Sequence, residues 1–190
     1  MVLPVGMLGG WTFCPRCAGE LEHHGSSVAC EACGFTLYAH SSVTASALPV
    51  DDQGRVLLAR RAGEPFLGLW DAVGGFLDEG EHPLDGLRRE VREETGLSFE
   101  PDRLLGIWMG RYGDDERATL NLFWTGRIGA GTPHAADDVA ELRWFEPDEL
   151  PPPPELAFDG LVAEVLRTWL ASGDRVDRSS QTGARQSHAP

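Results

Sequence analysis

The sequence predicts an α/β (α+β) chain in which a strand-rich domain follows a small metal-stabilised lobe. Three observations predict it. Strand-like runs dominate from residue 43 onward, two well-bracketed helical segments interrupt and close them, and all four cysteines fall within the first 33 residues. At 190 residues the chain is long enough to bury a core in one ordinary domain with an appendage.

The cysteines form two pairs, Cys14-Pro15-Arg16-Cys17 and Cys30-Glu31-Ala32-Cys33, with twelve residues between them. Two intervening residues let one tight turn aim both thiolates at a single ion, and two such turns close a tetrahedron with no position open to substrate. A zinc ribbon over residues 11–38 is therefore expected, with Cys14, Cys17, Cys30 and Cys33 as ligands of a structural Zn²⁺. Disulfides are disfavoured in a reducing compartment, and a redox motif would use one pair and leave the other idle. His23 and His24 read as polar loop residues. About 25 residues cannot supply a sufficient core alone, so metal binding is expected to carry the lobe's folding free energy.

Residues 38–41 read as a linker. A strand over 43–48 ends at the turn signal Asp51-Asp52-Gln53-Gly54, and 55–60 is a second strand. After a Pro/Gly loop at 64–68, residues 69–73 form a short strand running into Gly74-Gly75, where the backbone can take geometries closed to other residues. Pro83 suits a first helical turn and Gly96 a C-terminal stop, which brackets a helix of about three and a half turns. Strands follow at 104–112 and 120–128, joined by the acidic turn Gly113-Asp114-Asp115-Glu116, with a shorter one at 141–145. Residues 151–154 are a stiff proline spacer. Phe158, Leu161, Val162, Val165, Leu166 and Trp169 recur at intervals of three and four, the stripe of an amphipathic helix ending near Ala171. The remainder, 172–190, is rich in Ser, Gly, Gln and Arg without an aromatic and reads as a disordered tail.

Composition excludes several chemistries. All 16 bases are arginine, so neither a Schiff-base lysine nor a lysine-bearing phosphate loop is available. A net charge of −14 disfavours nucleic acid and anionic membrane as partners, and a polyphosphate substrate would need metal ions to bridge like charges. Arg16 on the first cysteine turn leaves room for a small nucleic-acid contact only. Residues 1–11 lack the basic flank and apolar length of a secretory signal, and no apolar run has transmembrane length, so a cytoplasmic location is expected. The acids are clustered. Residues 78–102 hold nine against three arginines and residues 137–159 hold eight against Arg143, so these two stretches carry −13 of the −14.

Within the first stretch, helical geometry puts Glu90, Glu93 and Glu94 within roughly 100° of one another, beside a narrower apolar stripe of Leu84, Leu87 and Val91. Like charges one turn apart destabilise a helix by a few tenths of a kcal/mol, so stability alone does not recommend the trio. Hard divalent cations reverse that penalty, because Mg²⁺ and Mn²⁺ take clustered carboxylate oxygens as ligands. Arg89, four residues before Glu93, can pair with it and fix its orientation.

The string Gly75-x5-Glu81-x7-Arg89-Glu90-Val91-x-Glu93-Glu94-x-Gly96-Leu97 resembles the signature of the Nudix hydrolases at nine constrained positions over 23 residues. The likeness extends to Gly68-Leu69-Trp70, Arg143-Trp144-Phe145 and Glu149-Leu150-Pro151, so residues 40–171 are expected to form the Nudix domain. The resemblance implies an α/β/α sandwich with a mixed sheet. It also implies hydrolysis of a nucleoside diphosphate linked to another moiety X, in which positioning and charge neutralisation carry most of the rate. It makes Glu90, Glu93 and Glu94 the Mg²⁺ or Mn²⁺ ligands together with the Gly74 carbonyl, Glu81 a supporting carboxylate, and Arg89 an orienting residue. In some relatives a general base lies about six residues before the tryptophan matched by Trp144, which here is Asp138; Glu141, Asp137 and Glu90 are the alternatives. Val73 stands where many members have proline.

A four-cysteine ribbon and Leu156-Ala157-Phe158 make the chain similar to ribbon-bearing members acting on ADP-ribose and FAD. NADH ranks lower, because the Ser-Gln-Pro-Trp-Pro-Phe-Pro-x-Ser element of NADH pyrophosphatases has no counterpart over residues 104–120. Trp108, Tyr112, Phe123 or Trp124 would be available to stack on adenine, against a plainer reading of all four as sheet-face packing. No arginine is assigned to a phosphate by spacing. A housecleaning nucleoside triphosphatase is the alternative enzyme, and a nucleotide-sensing regulatory or binding protein that uses the ribbon is the alternative of another class. A homodimer is compatible with the sequence.

Overall fold

The computed structural model describes residues 7–113 and 117–173. Its N-terminal lobe is a three-stranded antiparallel meander of β1 (Glu22–His23), β2 (Ser27–Ala29) and β3 (Thr36–Tyr38). Each cysteine pair sits on a loop of the same form. The Ala18 amide donates to the Cys14 carbonyl and the Gly34 amide to the Cys30 carbonyl, both at 2.9 Å, and both residues take left-handed backbone. Leu8, Leu21 and Val28 are the apolar residues buried with Cys14 and Cys30, which is a very small core.

Two sheets make up the rest. A four-stranded sheet has the order β7 (Val73–Phe76), β4 (Ser42–Pro49), β9 (Arg117–Ile128), β8 (Phe99–Tyr112). It is mixed, since β4 and β9 run parallel while the two outer pairings are antiparallel. A three-stranded antiparallel sheet places β5 (Val56–Arg61) between β10 (Val139–Phe145) and β6 (Trp70–Asp71). Helix α1 (Pro83–Thr95) packs on β7, β4 and β8, while α2 (Leu161–Ala171) packs against β8. Strand β4 is covered on both faces. Ala45 and Ala47 meet Leu87 and Val91 of α1, and Leu48 joins the cluster of Val162, Val165, Leu166 and Trp169 from α2. Small residues toward α1 let helix and strand approach closely, and full burial of Leu87 and Val91 stabilises their contact by about 1.5–3 kcal/mol each.

Helix α1 ends where the sequence punctuates it. His82 caps it, its Nδ1 accepting from the Leu84 amide at 3.3 Å; Pro83 opens the first turn; and Gly96 in left-handed conformation returns its amide to the Arg92 carbonyl. Four expected boundaries differ. The 69–73 run divides at Ala72 into β6 and β7, which belong to different sheets. Strand β8 begins at Phe99 rather than 104 and passes Pro101 beside a register shift. Proline is tolerated there because β8 is an edge strand. Strand β9 starts at Arg117, three residues before the expected 120. Helix α2 begins at Leu161, after a turn in which Phe158, Asp159 and Gly160 all have positive φ, so Phe158 lies outside the helical stripe. Within the proline spacer, Pro153–Glu155 forms a 3-10 turn. The expected tail lies outside the described residues from 174 onward. No helix among the described residues is long and apolar enough to cross a membrane.

Candidate active site

Pairing of β4 with β7 sets Ser46 opposite Gly74 and Thr44 opposite Phe76, so the small-residue strand end and the glycine pair share one floor. Helix α1 presents Glu94 to the same place. Its Oε2 accepts a hydrogen bond from the Gly74 amide at 2.9 Å, and the residue is only 5% exposed. Gly74 has φ 141°, a conformation side chains rarely adopt, and a Cβ on Gly75 would lie 2.8 Å from the Glu90 carboxylate. Gly75 thus provides the space into which Glu90 projects, while Gly74 lets β7 lie close against the β4 backbone at Ala45 and Ser46.

Arg89 organises the outer part of the helix face. Its Nε and Nη2 donate to the two oxygens of Glu81 at 2.9 and 2.8 Å, a bidentate pair. Nη1 donates to Glu90 Oε1 at 2.8 Å and Glu93 Oε2 at 3.0 Å, and Nη2 also donates to the Phe76 carbonyl at 3.1 Å. Glu93 is half-exposed at the rim. The Arg89 hydrogen bonds and the Asp78 amide pull the Glu81 carboxyl down to about 2, and the Glu81 and Glu90 carboxylates push the Arg89 guanidinium up. Burial pushes Glu90 up, with Arg89 opposing. Glu94 is raised well above the carboxylate range by burial first, then by the charge of Asp138, with Asp71 and Glu90 adding to it.

Beyond these carboxylates opens a cleft enclosing about 560 Å³, part of it continuous with solvent. Thr44, Ser46, Thr119, Asn121 and Phe123 form its floor; Phe76, Tyr112, Phe158 and Leu161 line its apolar wall; Asp71, Asp138 and Arg61 face it from the second sheet. Asp138 stands at the entrance to β10, where its carbonyl accepts from the Ala62 amide at 2.7 Å. Neither Asp137 nor Glu141 lines the cleft, and Glu141 is half-exposed beside Arg60 at 3.4 Å.

Spacing gave no hint of Asp71 or Arg61. Arg61 Nη1 donates to Asp71 Oδ2 at 3.2 Å and Nε to the Pro65 carbonyl at 2.8 Å, which leaves three N–H donors of the five a guanidinium carries. Burial raises the Asp71 carboxyl to about 6 against the opposing Arg61 charge. Arg61 is the single cation lining the cleft among the described residues. An acid inside the apolar 69–73 run and an arginine ending an apolar strand are signals for each residue singly, not for their pairing. Of the four aromatics considered for stacking, Tyr112 and Phe123 line the cleft, with Phe123 buried in its floor. Trp108 meets Phe123 edge-on at 5.5 Å, and Trp124 packs toward the α1 side of the sheet.

In the N-terminal lobe, Cys14 Sγ lies 3.6 Å from Cys33 Sγ and Cys17 Sγ lies 3.5 Å from Cys30 Sγ. All four sulfurs fall within 4.8 Å of one another, the one such group of metal-ligating atoms among the described residues. Arg16 lies over the Phe35 ring at 5.2 Å, folded back onto the lobe.

A mixed sheet between two helices, with a carboxylate helix bordering a polar-floored cleft, defines an α/β/α sandwich. The NUDIX domain model matches residues 40–166. The chain is 30% identical over 125 residues to an ADP-ribose pyrophosphatase of Methanocaldococcus jannaschii, covering 66% of this chain and 72% of that protein. It is 28% identical over 157 residues to an NAD-capped RNA hydrolase, NudC, of Vibrio vulnificus, covering 81% of this chain but only 57% of that protein. A NUDIX hydrolase from Nitrosomonas europaea superposes with a TM-score of 0.71 over 86% of this chain and 92% of its own, at 22% identity, and so shares the fold. The chain belongs to the Nudix family and is an enzyme, a diphosphatase acting on phosphorus-containing anhydrides.

Proposed function

We propose that the protein is a divalent-metal-dependent pyrophosphohydrolase of nucleoside diphosphates linked to X, ADP-ribose and FAD foremost, releasing a nucleoside monophosphate and phosphorylated X. The observation that carries this reading is the buried Glu94 carboxyl, tied to Gly74 and near enough to Asp138, Asp71 and Glu90 for their charges to bear on it. A concentration of hard, like-charged oxygen donors fits Mg²⁺ or Mn²⁺. Glu90, Glu93, Glu94 and the Gly74 carbonyl are the groups that would hold it. When bound, such an ion neutralises charge on the diphosphate oxygens.

The chain's own residues divide the remaining work. Arg61, pre-oriented by Asp71, directs its remaining donors to a phosphate oxygen. Asp138 takes the proton of the attacking water, and Arg89 with Glu81 sets the orientation of Glu90 and Glu93. In the N-terminal lobe the sulfur separations of 3.5 and 3.6 Å approach the edge of about 3.8 Å expected of a ZnS₄ tetrahedron with 2.3 Å bonds, so the four thiolates fit a structural zinc. On this reading residues 11–38 are the ribbon and 40–171 the catalytic domain. Incubation with ADP-ribose, FAD, NADH and nucleoside triphosphates plus Mg²⁺ or Mn²⁺, with products identified by mass, tests it. AMP and phosphorylated X from the first two are expected; cleavage of triphosphates alone, or of nothing, overturns it.

A further inference from the structure

Two phenylalanines on the cleft side of the molecule stand on backbone that side chains avoid. Phe66 has φ 69° and Phe158 φ 60°, and Phe158 opens a run of three left-handed residues with Asp159 at 45° and Gly160 at 100°. Such conformations cost free energy and persist only where the surroundings enforce them. Here they bring two rings together, with Phe66 and Phe158 centroids 4.8 Å apart. Phe158 also stands nearly parallel to Tyr112, at 6.0 Å and 28°, while Phe76 meets Tyr112 edge-on at 5.0 Å. The Arg61 guanidinium packs on Phe158 at 5.3 Å from its centroid. Tyr112 and Phe158 thus present two roughly parallel ring faces, which a planar ring can stack against once the two side chains part.

The floor beside this wall is built to meet a polar edge. Asn121 Nδ2 donates to the Trp108 carbonyl at 3.2 Å and to Thr119 Oγ1 at 3.0 Å, which fixes the amide orientation; Thr44 Oγ1 then donates to Asn121 Oδ1 at 2.8 Å. Thr44 keeps acceptor capacity and the Thr119 hydroxyl keeps its proton to donate. A donor and an acceptor beside two parallel rings suit a heteroaromatic base better than a bare sugar or an acyl chain.

We propose that Phe158, paired with Tyr112, is the specificity-determining residue of this cleft, and that it stacks the nucleobase of the substrate while Thr44 and Thr119 read the base edge. The inference rests on the cleft being the substrate site. It is tested by calorimetric binding of AMP and of ribose 5-phosphate to the full chain. The wild type should bind AMP more tightly than ribose 5-phosphate by about tenfold or more, the scale of one base–aromatic stack. Phe158→Gly, which suits φ 60°, should lose that preference while Phe158→Tyr keeps it, and because loosening of Arg61 would weaken both ligands alike, the AMP to ribose 5-phosphate ratio is what the test reads. Tyr112→Ala should lose the preference and Tyr112→Phe keep it, which preserves the test if the glycine variant fails to fold. Equal binding of the two ligands by the wild type, or an unaltered preference in both ring-deleted variants, overturns the clamp. Base-selective binding without any Mg²⁺-dependent turnover of ADP-ribose would overturn the hydrolase reading and leave the clamp standing.

Discussion

The Glu94 carboxyl accepts the Gly74 amide at 2.9 Å, so an acidic side chain of α1 is fastened to the strand it packs on while almost wholly withdrawn from solvent. Glutamine keeps the accepting oxygen and cannot ionise, so it escapes the cost that burial and the charges of Asp138, Asp71 and Glu90 impose on an ionised Glu94. Glu94→Gln should therefore melt at the same or a higher temperature than the wild type, while its turnover falls by about three orders of magnitude. Calorimetry and steady-state kinetics on one preparation check both halves.

Asp71 gives the fold a pH dependence of unusual sign. Its carboxyl is raised from 3.8 to about 6, so between those values the folded chain holds a proton that the unfolded chain has released. Stability from this group is complete below about pH 4 and declines as pH rises through about 6. Glu81 acts oppositely and lower: held down to about 2, it contributes stability in place above about 4.5 and lost as pH falls through 2. In metal-free buffer, urea unfolding of the wild type should show lower stability at pH 7 than at pH 5. Asp71→Asn should reduce that difference by about 1 kcal/mol. An unchanged difference in the variant would contradict the assignment.

Gly75 makes room for Glu90. Its φ is not left-handed, so alanine meets no backbone penalty there, but the methyl would press on a carboxylate 2.8 Å away. Gly75→Ala should stay folded and weaken Mg²⁺ activation by about tenfold or more, the usual effect of displacing a ligand's support. Activity titrated against Mg²⁺ reads the shift directly.

In the N-terminal lobe, apolar burial amounts to little more than Leu8, Leu21 and Val28. Cys33→Ser, or chelation of the wild type, should release zinc and abolish amide protection over residues 11–38, leaving the exchange pattern of 40–171 intact. Hydrogen exchange by mass spectrometry separates the two regions; persistent protection of the lobe without metal would show that its core suffices.

Legibility in the sequence followed the range of the interactions. Helix α1 was legible because Pro83, Gly96 and the Leu84, Leu87, Val91 stripe are local signals, and the cysteine turns because two residues of spacing fix their form. The sequence hides the start of strand β8 because Glu100-Pro101-Asp102 looks like a break, and only its place at the sheet edge removes the need for a Pro101 amide. The turn before α2 is hidden in the sequence because the apolar period runs through Phe158, whereas the left-handed backbone there accompanies ring contacts with Phe66 and Tyr112, both remote along the chain. Asp71 and Arg61 were invisible as a pair. They meet only through the β5–β6 register, which sets Ala59 opposite Asp71, and no spacing along the chain encodes that.

The most direct test is Mn²⁺ binding followed by electron paramagnetic resonance in the wild type and in the triple variant Glu90→Gln, Glu93→Gln, Glu94→Gln, with ADP-ribose hydrolysis measured on the same samples. The wild type should bind Mn²⁺ and gain activity in step with occupancy, and the variant should do neither while remaining folded. Equal Mn²⁺ affinity in the two proteins, or hydrolysis by the wild type in the presence of excess chelator, would contradict the assignment of the helix carboxylates.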